Sequence, residues 1–248
     1  MPFAIDLDGV VWLGEQPING SAAAIARLRA AGEPVLFCTN YSVLPVADIE
    51  AKLGRHGIPS QGDVVTSAMA GALLVEAGER VLVCGGPGVT EAVLTRGAVP
   101  VRTGPADAVL VGMHHDFDYE RLTAASQAVH AGARLLATND DPTYPTANGL
   151  LPGAGSIVAA IERATGVTAA VAGKPHHPMA ELVRARLGSA GTMVGDRPDT
   201  DGRFAVALGY RFALVLSGVA SSAADLDPAP ALVAPDLAHL VDELLGCA

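Results

Sequence analysis

The sequence predicts an α/β fold built on a mainly parallel sheet. Three observations carry the prediction. Short apolar runs alternate with helical patterns almost throughout the 248 residues. Several helical stretches stop on a glycine suited to the residue after a helix C-terminus. Polar motifs follow four of the apolar runs directly, where an open parallel sheet gathers its ligand-binding groups.

In chain order, Phe3–Ile5 reads as a strand because an apolar run ends abruptly at Asp6-Leu7-Asp8-Gly9. Ser21–Ala31 reads as a helix closed by Gly32, and Pro34–Cys38 as a strand running into Thr39-Asn40. Val46–His56 and Ser67–Ala77 read as helices, the second stopped by Gly78. Val81–Cys84 is a strand candidate. The Gly85-Gly86-Pro87-Gly88 that follows lacks the third glycine of a dinucleotide fingerprint and reads as a tight turn into a helix over Thr90–Thr95. Ala108–Val111 and Arg134–Ala137 are strands around a helix over Tyr119–Ala131 that stops at Gly132. Ser156–Thr165 is a helix, and Thr168–Ala172 a strand entering Lys174-Pro175. Pro178–Leu187 is a helix, and Thr192–Val194 a strand entering Asp196-Arg197-Pro198-Asp199-Thr200-Asp201. Phe212–Leu216 and Pro235–Leu245 complete the pattern as strand and helix.

Composition narrows the function classes. The chain is long enough for a sizeable core, half its residues are hydrophobic and 17% are charged, so it is globular. No apolar run approaches the roughly 18 residues of a membrane span. Asp6 and Asp8 interrupt any signal-peptide pattern. Cys38, Cys84 and Cys247 have no metal or redox spacing, which fits reduced thiols and a cytoplasmic location. A net charge of −10 with no basic block argues against a nucleic-acid partner. A small anionic substrate needs only a local site. The chain has just two lysines, Lys52 and Lys174.

Each polar motif has a bland reading. A DxDG can be an acidic turn; it is no EF-hand here, since Val10 and Pro17 fall at ligand positions. Thr39-Asn40 can be a helix cap. Asp196–Asp201 can be a solvated turn, and Gly173-Lys174-Pro175 is not a Walker loop because proline replaces the Mg²⁺-binding hydroxyl. Together the four place carboxylates, a hydroxyl, an amide and one of the two lysines at strand ends. That inventory suits Mg²⁺ plus a phosphoryl group. In an extended chain Asp6 and Asp8 lie on one face, roughly 6.5 Å apart.

The stretches "DLDGVVW", "LFCTNYS", "AGKP" and "VGDRPDTD", with "ATNDDPTYPTANGLLPGAGS" and "LVLSGV", resemble the haloacid dehalogenase superfamily of phosphohydrolases. The chain is most similar to its NagD-like subgroup of 4-nitrophenylphosphatases and phosphoglycolate phosphatases, from Phe3 to about Val219. The resemblance implies a Rossmann-like parallel-sheet core over 1–78 and 171–248 and an inserted α/β C2-type cap over 79–170. It implies Asp6 as nucleophile and Asp8 as general acid, then base. It gives Mg²⁺ to Asp6, Asp196 and the main-chain carbonyl of Asp8, with Asp201 steadying the metal's water shell from behind. It gives the phosphoryl oxygens to Thr39 and Lys174, helped by the Asn40 backbone or amide. Tyr41, His176 and Asn139 fall to substrate selection, with cap loops closing over a small phosphorylated metabolite. An acid at Asp8 favours hydrolysis; a phosphomutase or a silent phosphate-ester binding module are the alternatives. Capped members also imply a homodimer through the cap. Departures are Tyr41 for a second Asn, His176 and His177 for a small polar residue, Gly202 for an aliphatic residue and Ala205 for a glycine.

Overall fold

The computed structural model describes residues 1–146 and 148–246, so Cys247 lies outside the described residues. The strands are β1 (Phe3–Ile5), β2 (Trp12–Leu13), β3 (Gln16–Pro17), β4 (Val35–Thr39), β5 (Val64–Thr66), β6 (Arg80–Cys84), β7 (Val99–Val101), β8 (Ala108–Val111), β9 (Arg134–Ala137), β10 (Thr143–Thr146), β11 (Gly149–Pro152), β12 (Ala170–Val171), β13 (Thr192–Gly195), β14 (Arg211–Val215) and β15 (Leu232–Ala234). The helices are α1 (Ser21–Ala30), α2 (Val46–Arg55), α3 (Ser67–Ala72), α4 (Pro87–Thr95), α5 (Tyr119–His130), α6 (Ala154–Thr165), α7 (His177–Leu187), α8 (Arg203–Leu208) and α9 (Leu237–Leu245).

Two parallel sheets organise the chain. The first has six strands in the order β15-β14-β13-β1-β4-β5, with β1 paired to β13 on one side and β4 on the other. The second has five, in the order β12-β9-β8-β6-β7. The central strands β1, β4 and β13 are buried along their whole length because helices cover both faces. On one face of the first sheet, Ile5, Phe37 and Val194 pack with Ile25 and Leu28 of α1 and Leu240 of α9. On the other, Ala4, Leu36 and Met193 pack with Met179 and Val183 of α7 and Phe204 of α8. In the second sheet Val109 and Val111 pack under α5 and α6.

Two short antiparallel hairpins depart from this plan, β2–β3 and β10–β11. β10–β11 borders the acidic cleft described below, and β2–β3 borders a second cleft beside it. Gly32 and Gly132 take positive φ just after α1 and α5, as their sequence positions predict. The predicted Ser67–Ala77 helix is shorter: α3 ends at Ala72, and the chain tightens into i→i−3 turns through Val75 before reaching Gly78. Among the described residues no helix is long and apolar enough to cross a membrane.

Candidate active site

Three of the four polar motifs meet because β13, β1 and β4 are neighbours. β1 hands the chain to Asp6, β4 ends on Thr39 and leads into Asn40, and β13 ends one residue before Asp196. Lys174 arrives differently, and here the structure corrects the sequence reading. The strand before it shrinks to β12, which pairs with β9 at the edge of the second sheet and not with the first. A Lys174 ammonium from another sheet reaches the same point because the backbone is clamped. The Asn40 side chain accepts a hydrogen bond from Lys174 N–H at 2.8 Å and donates one to Lys174 O at 3.0 Å.

Lys174 is 1% exposed, and its Nζ lies 2.9 Å from Asp6 Oδ1 and 2.7 Å from Asp201 Oδ1. Burial of an ammonium pulls its pKa down, but Asp201 and Asp6 outweigh burial and hold Lys174 charged. Asp201 lies in a single π-helical turn, Pro198–Gly202. That turn folds its carboxylate back, so Oδ2 accepts hydrogen bonds from the N–H groups of Asp196 and Arg197, each at 3.1 Å. Gly202, unexplained in the sequence, abuts the Phe212 ring and Pro228; a Cβ there would sit 3.0 Å and 2.9 Å from their carbons.

Carboxylate oxygens of Asp6, Asp196 and Asp201 lie within 4.8 Å of one another. Burial raises the Asp6 pKa first; Lys174 opposes, and Asp201 and Asp196 add to the rise. Burial and then the Asp201 charge push Asp196 up to about 7. One ammonium therefore faces three carboxylates, and a divalent cation completes the balance. The donor set fits Mg²⁺, a hard cation that takes one or two carboxylates and keeps waters. Leu7 N–H and Lys174 occupy Asp6 Oδ1, and Val219 N–H donates to Asp196 Oδ2 at 2.7 Å. Among the described residues the other oxygen of each accepts no hydrogen bond, whereas both oxygens of Asp201 are engaged. Asp6 and Asp196 are thus the residues that could ligate a metal.

Asp8 shares the cleft with Asp6, Thr39, Lys174 and Asp196. It does so from a bend rather than from an extended strand, since β1 stops at Ile5. Burial raises its pKa, opposed by Lys52 and by a hydrogen bond from Trp12 Nε1 at 3.0 Å. Thr39 is buried, and its Oγ1 accepts the Tyr41 N–H at 3.0 Å. Tyr41 lines the cleft, its hydroxyl pushed up to about 12 by burial and by Asp8.

The remaining candidates divide. The Asn40 amide is fully committed, donating to Lys174 O and, at 2.9 Å, to Asp141 Oδ2. Asn139 also lines the cleft, but its Nδ2 donates to Asn40 O at 2.7 Å and its Oδ1 accepts Asp141 N–H, so it braces the loop after β4. His176 does not line the cleft; its Nε2 lies 3.7 Å from Asp140 Oδ1 at the start of α7. Sequence reasoning missed Asp141 and Arg197, both of which line the cleft. Asp141 lies four residues past the end of β9, in a polar stretch to which the sequence reading gave no carboxylate role, and its pKa is raised by burial. It missed Lys52 as well, whose signal was rarity alone. A second cleft of about 230 Å³ opens from Asp8, Thr39, Tyr41 and Tyr144 toward Trp12, Lys52 and His115.

A doubly sheeted α/β fold with this acidic, lysine-centred rim is that of a haloacid dehalogenase-like hydrolase. The family model of that description matches residues 3–98, and a second HAD-hydrolase-like model matches residues 171–240. The acid sugar phosphatase of Staphylococcus saprophyticus is 35% identical over 206 residues, covering 80% of this chain and 80% of that protein. The D-glycerol 3-phosphate phosphatase of Mycobacterium tuberculosis is 40% identical over 226 residues, covering 88% of this chain; the matched region spans 63% of that longer protein. The crystal structure of glycerol phosphate phosphatase from Mycobacterium tuberculosis in complex with magnesium superposes with a TM-score of 0.88 at 37% identity, covering 96% of this chain and 75% of that one. The chain belongs to the haloacid dehalogenase-like hydrolase family.

Proposed function

We propose that the protein is a Mg²⁺-dependent phosphatase that hydrolyses a small organic phosphomonoester through an aspartyl-phosphate on Asp6. The observation that carries the reading is the Lys174 ammonium fixed between Asp6 and Asp201, in one cleft with Asp8 and Thr39. Such a cleft supplies a nucleophile, a proton donor and cationic stabilisation for a phosphoryl group.

Asp6 attacks phosphorus, forming a carboxyl O–P bond as the ester P–O bond breaks. Asp8 gives its proton to the departing oxygen, which leaves as an alcohol. Asp8, now a carboxylate, takes a proton from water as that water attacks phosphorus, releasing phosphate and restoring Asp6. Thr39 Oγ and Lys174 Nζ bind the phosphoryl oxygens; with its amide committed, Asn40 contributes only through its main-chain N–H. Asp6 and Asp196, with the Asp8 carbonyl, would hold Mg²⁺, whose positive charge would offset the clustered carboxylates and the phosphoryl oxygens. Asp201 orients Lys174 and the loop after β13.

We assign the core to residues 1–78 and 171–248 and the cap to 79–170. The β10–β11 hairpin brings Thr143, Tyr144 and Pro145 to the cleft from the cap side. Glycerol phosphate or a sugar phosphate is the substrate class that the named relatives support. Unpaired Cys38 and Cys84 fit a cytoplasmic location. The test is release of p-nitrophenol from p-nitrophenyl phosphate with Mg²⁺ and with EDTA. Turnover that EDTA abolishes and Asp6→Asn lacks is expected. Metal-independent turnover, or full activity in Asp6→Asn, overturns the reading.

A further inference from the structure

We propose that Trp12 and Lys52 are positioning residues for Asp8: the indole N–H holds one oxygen of the carboxyl group, and Lys52 pins the indole in place. This rests on the phosphatase reading above, in which Asp8 is the proton donor.

Trp12 is the only tryptophan in the chain and Lys52 one of its two lysines. Trp12 is 4% exposed, and its Nε1 donates to Asp8 Oδ1 at 3.0 Å. The backbone reinforces the pairing. Gly9 N–H donates to Trp12 O at 2.8 Å, and Asp8 and Trp12 form an isolated β-bridge. The indole N–H is a donor only, so it fixes Oδ1 as an acceptor. Among the described residues Oδ2 makes no hydrogen bond, and it is the oxygen left to carry the proton to a leaving group.

Lys52 comes from α2 and stands over the indole. Its Nζ stands 4.3 Å from the ring centroid, donates to Gly14 O at 2.6 Å, and pairs with Glu15 at 3.1 Å. A cation over an indole face is attracted by the ring's quadrupole. The same ammonium also ties down the turn between β2 and β3. His56, at the end of α2, tilts against the indole at 5.9 Å between centroids. Trp12 and Lys52 both line the cleft that opens from Asp8, where a departing alcohol would pass. A solvated surface lysine would explain none of this, because the Lys52 side chain is only 12% exposed.

The test compares an alkyl ester, glycerol 3-phosphate, with p-nitrophenyl phosphate, whose phenolate needs little protonation. Trp12→Phe and Lys52→Met are assayed with Mg²⁺, beside Lys52→Arg. Replacing the single tryptophan biosynthetically with benzothienylalanine removes the N–H at nearly constant shape, which covers the case in which Trp12→Phe fails to fold. Loss of the N–H should lower kcat on the alkyl ester about tenfold more than on p-nitrophenyl phosphate, a fraction of a full general-acid effect. Lys52→Met should fall the same way to a smaller degree, and Lys52→Arg should recover most of the loss. In the ¹⁵N-labelled enzyme the one indole N–H resonance should exchange faster with solvent in Asp8→Ala and in Lys52→Met. Equal losses on both substrates, or an indole exchange rate unmoved by either substitution, overturn the positioning role while leaving the phosphatase reading intact. Absence of turnover in the unmodified enzyme overturns both.

Discussion

Around Asp196 two glycines leave no room for a methyl group. A Cβ on Gly9 would sit 2.3 Å from Asp196 Oδ2, and one on Gly218 would sit 2.0 Å from it. Gly9 also holds φ at +84, which an L side chain adopts only with strain. Gly218→Ala must push the carboxylate aside, and a displacement near 1 Å at a reacting centre costs up to about 100-fold. We expect this variant to keep its thermal melt within a few degrees while its Mg²⁺ affinity falls at least about tenfold. Calorimetric titration with Mg²⁺ checks it; unchanged affinity would show that Asp196 has room to spare. The acidic residues were legible because a carboxylate is conspicuous after an apolar strand. Gly218 was not, because nothing in "LVLSGV" says that its missing side chain is the space another strand's aspartate fills.

At the scale of elements, most strands and helices could be read from the chain, and several of the shortest pieces could not. β5, β7 and β15 have three residues each, too few to show a period. They are held by parallel neighbours, which only the folded sheet supplies. The approach of Lys174 was misread for the same reason: pairing partners decide which sheet a strand joins, and β12 joins β9. What brings Lys174 home is the Asn40 amide, which also reaches Asp141 across the junction between the two sheets. Asn40→Asp places a second carboxyl group against Asp141, where Asp141 Oδ2 now lies 2.9 Å from the amide nitrogen. Two carboxyl groups this close share a proton. Asn40→Asp should therefore raise KM more than Asn40→Ala at pH 8, and the gap should narrow at pH 5.5. A steady-state comparison at the two pH values decides it, and a pH-independent gap would count against the pairing.

For the whole molecule, the buried acidic cluster couples stability to pH and to metal in a definite direction. Burial and the Asp201 charge push Asp196 from near 3.8 in the unfolded chain up to about 7 in the fold. Between those values the folded protein binds more protons than the unfolded chain. The metal-free protein thus loses stability from this site as pH rises, by about 4 kcal/mol if the whole linkage is realised. Asp6 and Asp141, both raised by burial, act with the same sign. Lys174, raised above 10.5, contributes stability that is constant between pH 5 and 8. His114 works the other way: burial lowers its pKa, so protonation below about 6.5 destabilises the fold. The raw melting temperature mixes these terms, but the increment produced by Mg²⁺ isolates the site, because His114 contributes equally with and without metal. In the proposed site Mg²⁺ and protons would compete for the same carboxylates. Saturating Mg²⁺ should therefore raise Tm more at pH 8 than at pH 5.5. Mg²⁺ affinity should weaken by up to about tenfold per pH unit below 7, as expected when one proton is displaced on binding. Asp196→Asn removes both the competing proton and a ligand, and should abolish the increment at either pH. An increment that persists in Asp196→Asn, or that is the same at both pH values, would place the cation somewhere other than between Asp6 and Asp196.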